Sequence, residues 1–293
     1  MIPWPKILKH IEQKTRWRLD AHSLGTVSGG CINSAFIVGT DEQRVFIKTN
    51  QSHLLPMFET EAMGLAEIAQ YQCIQTPKVI CTGTEEGTAY IALHAIDLSK
   101  ANNNNHRKFG QQLAQLHLQH AEQYGADFDN YIGSSVQVNT RSTNWFDFWR
   151  EQRLGVQLEL LIQKSAPTKI IDAGFLLGSE METFFDAMPS ASCLHGDLWQ
   201  GNWGFDQTGA PIIFDPAHYY GDREADIAMT KLFGAAPDDF YAAYEEIYPL
   251  SEHYPSHETF YNLYHILNHY HLFGGGYLEQ AHHMIQSLLS ETR

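Results

Sequence analysis

The stretch CLHGDLWQGNWGF, residues 193 to 205, sets Asp197 five positions ahead of Asn202, with tryptophan and glycine between them. A helix does not favour this composition, and a core strand does not bury an aspartate and an asparagine without partners. The segment is expected as a loop that leaves a strand and faces something outside the chain. The run NWGFDQTGAPIIFDP then reads as a hairpin turning at Asp206 to Gly209, which brings Asp215, where the second strand ends, back towards Asp197 and Asn202. Three oxygen-bearing side chains meeting at strand ends suit a hard cation such as magnesium, with one group spared for proton transfer.

The order His195, Asp197, Leu198, Asn202 has the spacing H-x-D-L-x-x-x-N of a phosphoryl-transfer loop. In that template the aspartate accepts the proton of an acceptor hydroxyl, the asparagine holds a metal, and an aspartate one hairpin later bridges metal to phosphates. Asp197, Asn202 and Asp215 fill these roles in order. Such chemistry needs a phosphate-clamping lysine on the third strand of an N-terminal sheet, where Lys48 ends RVFIK. Its carboxylate partner belongs on the following helix, where Glu59 and Glu61 point in different directions. Glu61 falls on the stripe Phe58, Glu61, Leu65, Ile68, and a carboxylate on an apolar stripe is costly unless paired. Glu61 is therefore the expected partner and Glu59 the solvated one. The unit TVSGGCINSAF supplies Gly29 and Gly30, whose amides can approach phosphates closely, with Cys31 beside them.

These groups require an N-terminal sheet and a C-terminal body to hold them. RLDAHSLGTVSGG, NSAFIVGT and RVFIKT alternate as an antiparallel meander, MFETEAMGLAEIAQYQ is an amphipathic helix, and TPKVICTGTEEGTAYIALHAI returns to strands. After Asp97 the periodicity turns helical in RKFGQQLAQLHLQHAEQYG, NWFDFWREQRLGVQLELLIQK, DDFYAAYEEIY, TFYNLYHILNHYHLF and LEQAHHMIQSLLS. The asparagines 102 to 105 read as a loop before a helix, and no fixed-period repeat is visible. The expected architecture is α+β and bilobal. Residues 1–97 form a nucleotide-binding lobe, a small antiparallel sheet with one helix, and residues 98–293 form a larger, mainly helical catalytic and acceptor-binding lobe.

Bulk properties narrow the class. The 293 residues carry 19 Lys and Arg against 34 Asp and Glu, a net charge of -15 that repels nucleic acid. Any phosphate must be met locally, by a few basic groups, amides or a metal. No apolar run reaches the length of a membrane span, so no membrane partner is expected. The N-terminus MIPWPKILKH lacks the apolar core of a signal peptide and no C-x-x-C pair occurs, which points to a reducing cytoplasm. Cys73, Cys81 and Cys193 read as buried small hydrophobes, whereas Cys31, in a flexible loop, is a candidate redox site. His265 and His269 stand four apart on one helix, but without H-E-x-x-H they read as packing residues rather than zinc ligands.

Taken together, VSGGCIN, FETEAMGL, LAQLH, DNYIG, LHGDLWQGN, FDPAHYYGDREADIAM and YHILNHYHLFGGGY make the chain resemble the fructosamine kinases, or ketosamine 3-kinases, from about Val27 to Tyr277. The resemblance implies a protein-kinase-like fold shared with aminoglycoside and choline kinases. It implies transfer of phosphate from ATP, with Mg2+, to the C3 hydroxyl of a ketosamine, free or on a glycated protein, whose unstable product releases the amine. It makes Asp197 the proton acceptor, Asn202 and Asp215 metal ligands, Lys48 the phosphate clamp and Glu61 its partner. It further implies adenine contacts at Leu93, His94 and Ala95, and support of the catalytic loop by His195 and Asp226. A polyol carrying an amine calls for aromatic faces and acidic groups, and Trp199, Trp203, Tyr219, Tyr220, Asp222 and Glu224 lie in the matching segments. The rival readings are an aminoglycoside- or choline-like alcohol kinase on the same fold and a non-catalytic nucleotide-binding regulator. Two departures stand out: Gly196 replaces the arginine that protein kinases carry after the histidine, and Ala235 stands where a second glycine is expected. Without that arginine, switching by loop phosphorylation is not expected.

Overall fold

The computed structural model describes residues 2–27, 32–40 and 43–292. Gly29, Gly30 and Cys31 lie outside the described residues. The N-terminal sheet contains β1 Gly25–Val27, β2 Ser34–Thr40, β3 Gln43–Gln51, β4 Val79–Glu85 and β5 Thr88–His94, in the antiparallel order β1-β2-β3-β5-β4. The first strand is shorter than its alternation suggests, because Asp20 caps a 3-10 turn over Ala21–Ser23.

Helix α1, Trp4–Thr15, and helix α2, Leu55–Ala69, cover opposite faces of this sheet. The expectation of a single helix is corrected here. On β3, Val45 and Ile47 join Ile7, Leu8 and Ile11 of α1, whereas Phe46 turns to Met57, Phe58 and Leu65 around α2. A strand buried on both faces needs two covers, and α1, begun by prolines, supplies the second.

The chain leaves the sheet at His94 and enters α3, Asn103–His117, at a capping box made by Asn102 and Asn105. The asparagine run is therefore the first turn of a helix rather than a loop. Helix α3 stops at His117, short of the periodic pattern, because the chain beyond it pairs with the 191–193 segment through Ala121, Gln119 and Cys193. The two short strands β6 Asn130–Ile132 and β7 Ser135–Gln137 form a hairpin. Helix α4, Trp145–Trp149, runs through a π-helical turn, Arg150–Gly155, into α5, Val156–Gln163. Helix α6, Thr168–Glu180, does not stand out in the sequence; Gly174 and Gly178 let it approach Leu158 and Leu154.

Strand β8, Ser192–Leu194, precedes the loop of Asp197, and the hairpin of β9 Trp203–Phe205 and β10 Pro211–Ile213 follows it. Strand β11, Tyr219–Gly221, pairs back onto β8. Helices α7 Glu224–Leu232, α8 Asp238–Glu245, α9 Tyr254–Phe273 and α10 Tyr277–Glu291 complete the fold, with α9 buried over most of its length. The largest core joins these helices to Trp145, Trp149 and Leu194. No helix among the described residues is long and apolar enough to cross a membrane.

Candidate active site

Residue alternation puts Lys48 on the α2 side of β3, and the helical stripe turns Glu61 inward while Glu59 stays exposed. Lys48 Nζ lies 2.9 Å from Glu61 Oε1 and 2.8 Å from Asp215 Oδ1. Burial works against the Lys48 ammonium, but Asp215 and Glu61 outweigh it and raise its pKa. Glu61 is itself pushed up to about 7 by burial, opposed by Lys48 and reinforced by the charge of Asp215.

Asp215 has φ 62, a left-handed conformation that an aspartate adopts at a cost. Helix α2 comes close at this point: a Cβ added to Gly64 would sit 3.1 Å from His218 Cβ and 3.3 Å from Pro216 Cγ. The helix that carries Glu61 thus rests directly on the segment that carries Asp215.

Asn202 Nδ2 donates to the Asp197 carbonyl at 2.9 Å and to Asp197 Oδ2 at 3.1 Å. Among the described residues the Asn202 side-chain oxygen accepts no hydrogen bond, so it can meet another partner. This oxygen and the half-exposed carboxylate of Asp215 are hard donors that fit a magnesium ion. Burial, then the charges of Asp215 and Asp226 against the Asn202 hydrogen bond, push the Asp197 carboxyl up to about 8.

The loop rests on Asp226 of α7, whose two oxygens accept from the His195 amide at 2.7 Å and the Gly196 amide at 2.8 Å. Asp226 also pairs with His117 Nε2 at 3.2 Å, and although burial opposes its charge, His117 and His195 hold its pKa down. Burial pushes the His195 ring pKa down. The neutral ring donates from Nε2 to the Phe214 carbonyl at 3.0 Å and accepts from the Asp197 amide at Nδ1, 3.2 Å. His195 therefore ties the loop of Asp197 to the residue before Asp215.

At the connection between sheet and α3, the His94 amide donates to Lys78 and the Ala95 amide to Arg44. These two amides are engaged within the chain, so an adenine contact at His94 or Ala95 would fall to a backbone carbonyl. Among the described residues the Ile96 amide has no such acceptor.

The acceptor-pocket expectation is corrected more deeply. Tyr219, Tyr220, Asp222 and Glu224 are buried within the C-terminal body. Tyr219 lies under the Arg153 guanidinium at 4.1 Å, and the Tyr220 hydroxyl meets Tyr71 at 2.7 Å. Asp222 accepts from the Tyr261 hydroxyl at 2.5 Å, and Glu224 pairs with His257 at 2.6 Å. Both acids line a cavity of about 330 Å³ bounded by residues 185–190 and 248–251, apart from Asp197, Asn202 and Asp215. Trp203 packs its ring on Phe109 at 5.1 Å.

Only Trp199 of that set is open, 37% exposed beside Asp197. Its ring stands perpendicular to Phe233 at 6.5 Å, Phe233 meets His269 at 4.7 Å, and His269 meets Tyr277 at 5.3 Å and Phe273 at 5.5 Å. The sequence reading missed Phe233, His269, Phe273 and Tyr277 as partners of Trp199; the signal was the aromatic density of KLFG and NHYHLFGGGY. His269 Nδ1 is taken by the His265 carbonyl at 2.8 Å, and His265 is buried, so this pair packs. Cys193 is buried, while Cys73 and Cys81 are only partly so.

The fructosamine kinase family model matches residues 3–291. A Synechocystis protein named "Probable ketoamine kinase" is 40% identical over 288 residues, covering 98% of this chain and 97% of that one. An Arabidopsis thaliana protein named "Protein-ribulosamine 3-kinase, chloroplastic" is 38% identical over 270 residues, 91% of this chain and 82% of that one. The crystal structure of a Haemophilus somnus 129PT protein, 30% identical, superposes with a TM-score of 0.88 over 98% of this chain and 97% of that one. Choline kinase LicA from Streptococcus pneumoniae, 13% identical with a TM-score of 0.66 over 98% of this chain and 99% of that one, shares the fold alone.

Proposed function

The chain belongs to the fructosamine kinase family, ATP-dependent kinases that phosphorylate ketosamines, and we propose how its residues divide that reaction. Residues 1–97 are the nucleotide-binding lobe and residues 98–293 the catalytic and acceptor-binding lobe. Asp197 orients the C3 hydroxyl of the ketosamine and takes its proton as the phosphoryl group arrives. Lys48, held by Glu61, meets the phosphates of ATP, and the Ile96 amide faces the adenine edge. Asn202 and Asp215 offer the oxygens for magnesium, which when bound neutralises charge on the phosphoryl group in transfer. His195 and Asp226 hold the loop in register by the hydrogen bonds described above.

The observation that carries this reading is the meeting of Lys48 with both Glu61 and Asp215 beside the Asp197 to Asn202 hydrogen bond. Positioning and electrostatics are what phosphoryl transfer asks of a protein, and these five side chains supply both.

The acceptor meets the wall of Trp199, Phe233 and His269 rather than Tyr219 or Tyr220. An indole face suits the C–H surface of a polyol. The wall ends at exposed Trp199 and Phe273, which leaves room for a ketosamine on a protein lysine as well as a free one. Trp199→Ala is expected to raise the KM for ribulosamine-lysine about tenfold or more while leaving the KM for ATP within twofold, in line with the loss of one aromatic contact. Equal KM values for the ketosamine in both proteins remove Trp199 from the acceptor site.

A further inference from the structure

We propose that Asn130 and Gln137 of the β6–β7 hairpin are positioning residues for Asp215, fixing the segment after it permanently by side-chain amides. The inference rests on the reading of Asp215 as a metal ligand. Asn130 Nδ2 donates to the His218 carbonyl at 2.8 Å, and Gln137 Nε2 donates to the Ala217 carbonyl at 3.1 Å. Gln137 Nε2 also donates to Asn130 Oδ1 at 2.8 Å, so the two amides hold each other.

Behind them the buried Asn139 donates to Asn130 Oδ1 at 3.0 Å and accepts from Arg153 at 2.6 Å. The Tyr264 hydroxyl donates to Gln137 Oε1 at 2.9 Å. Asn130, Gln137, Asn139 and Arg153 are all 2% exposed or less. A buried polar network of this kind is costly unless its members are paired, and when paired it selects one conformation. The conformation selected here includes the left-handed backbone of Asp215, two residues before the first clamped carbonyl.

The same carbonyl explains Gly196. A Cβ added there would lie 2.0 Å from the Ala217 oxygen, and Gly196 has φ +84. The catalytic loop and the Asp215 segment therefore touch backbone to backbone where an arginine side chain has no room. An arginine at that position would hold a phosphorylated loop; here the hairpin amides hold the corresponding segment with no modification.

The test uses calorimetric titration of Mg2+ into enzyme saturated with ADP, with Asp215→Asn as reference, and hydrogen exchange of the 214–221 peptide. Asn130→Ala and Gln137→Ala are each expected to weaken Mg2+ binding about tenfold or more, the usual consequence of losing a partner one step behind a metal ligand, and to speed exchange of that peptide. In the unmodified wild-type enzyme the peptide is expected to exchange slowly without nucleotide and no more slowly with it. Folded variants that bind Mg2+ as wild type overturn the inference, as does a wild-type peptide protected only when nucleotide is bound. Should the variants fail to fold, the wild-type exchange decides. Unchanged Mg2+ binding in Asp215→Asn overturns the metal-ligand reading instead, a separate outcome.

Discussion

Lys48 lies 2.9 Å from Glu61 and 2.8 Å from Asp215, so one ammonium serves two carboxylates and a negative charge is left over for a cation. Breaking a buried pair by removing one partner normally costs about 3–5 kcal/mol. In Glu61→Gln the second carboxylate keeps Lys48 paired, so urea denaturation is expected to register less than that. The rate should suffer more, because Lys48 is then drawn onto Asp215, the proposed metal ligand. At least a tenfold fall in kcat/KM for ATP, or about 1.4 kcal/mol, is the expected result. A variant with wild-type turnover separates Glu61 from the site. Glu61 was legible in the sequence because a carboxylate on an apolar stripe demands a partner. Asp222 and Glu224 were not legible as core residues, since Tyr261 and His257, which satisfy them, come from distant α9.

Among the elements, α3 and α8 meet where Gly110 faces the chain of α8, and an added Cβ would lie 2.2 Å from the Phe240 carbonyl. Backbone cannot yield as a side chain tip does, so Gly110→Ala is expected to lose about 1–3 kcal/mol to overpacking despite its better helix propensity. Thermal unfolding checks it, and a raised Tm contradicts it. Helix α9 is held to α7 by His257, which donates to Glu224 at 2.6 Å and to the Phe184 carbonyl at 2.8 Å. Burial opposes the imidazolium, but the Glu224 hydrogen bond, the Phe184 carbonyl and the nearby Asp222 outweigh it and raise its pKa. A raised folded pKa gives stability that is fully present below the unfolded value of about 6.5 and is lost as pH rises through the folded value. Wild type should therefore lose more stability than His257→Gln as pH climbs out of that window, in denaturant melts at each pH. Equal slopes contradict the pairing. Long periodic helices such as α9 were readable from sequence; α1 was passed over because its Pro-rich start drew the reading to what it was not. The three-residue strands β6 and β7 are too short to carry an alternating pattern, so the clamp they form was visible only in three dimensions.

At the scale of the whole molecule, a chain of net charge -15 is built to transfer an anion. Its field opposes ATP, so the proposed site would work through a few local groups: Lys48, a cation on the proposed ligands Asn202 and Asp215, and backbone amides. The division into a sheet-rich N-terminal part and a helical C-terminal part was legible because each has its own periodicity, two in the sheet and 3.6 in the helices, whereas the kinase-like fold came from the family resemblance. The aromatic cluster proposed to meet the acceptor was not legible, since Trp199, Phe233, His269 and Tyr277 come from four separate segments that only tertiary packing brings together. The most direct measurement is Mg-ATP-dependent phosphate incorporation into ribulosamine-lysine and fructosamine-lysine, beside an aminoglycoside and choline, in wild type and Asp197→Asn. Transfer to a ketosamine that falls by about 10²–10⁴-fold in the variant is the expected result. Transfer that survives the substitution, or that occurs only to the other alcohols, contradicts the account.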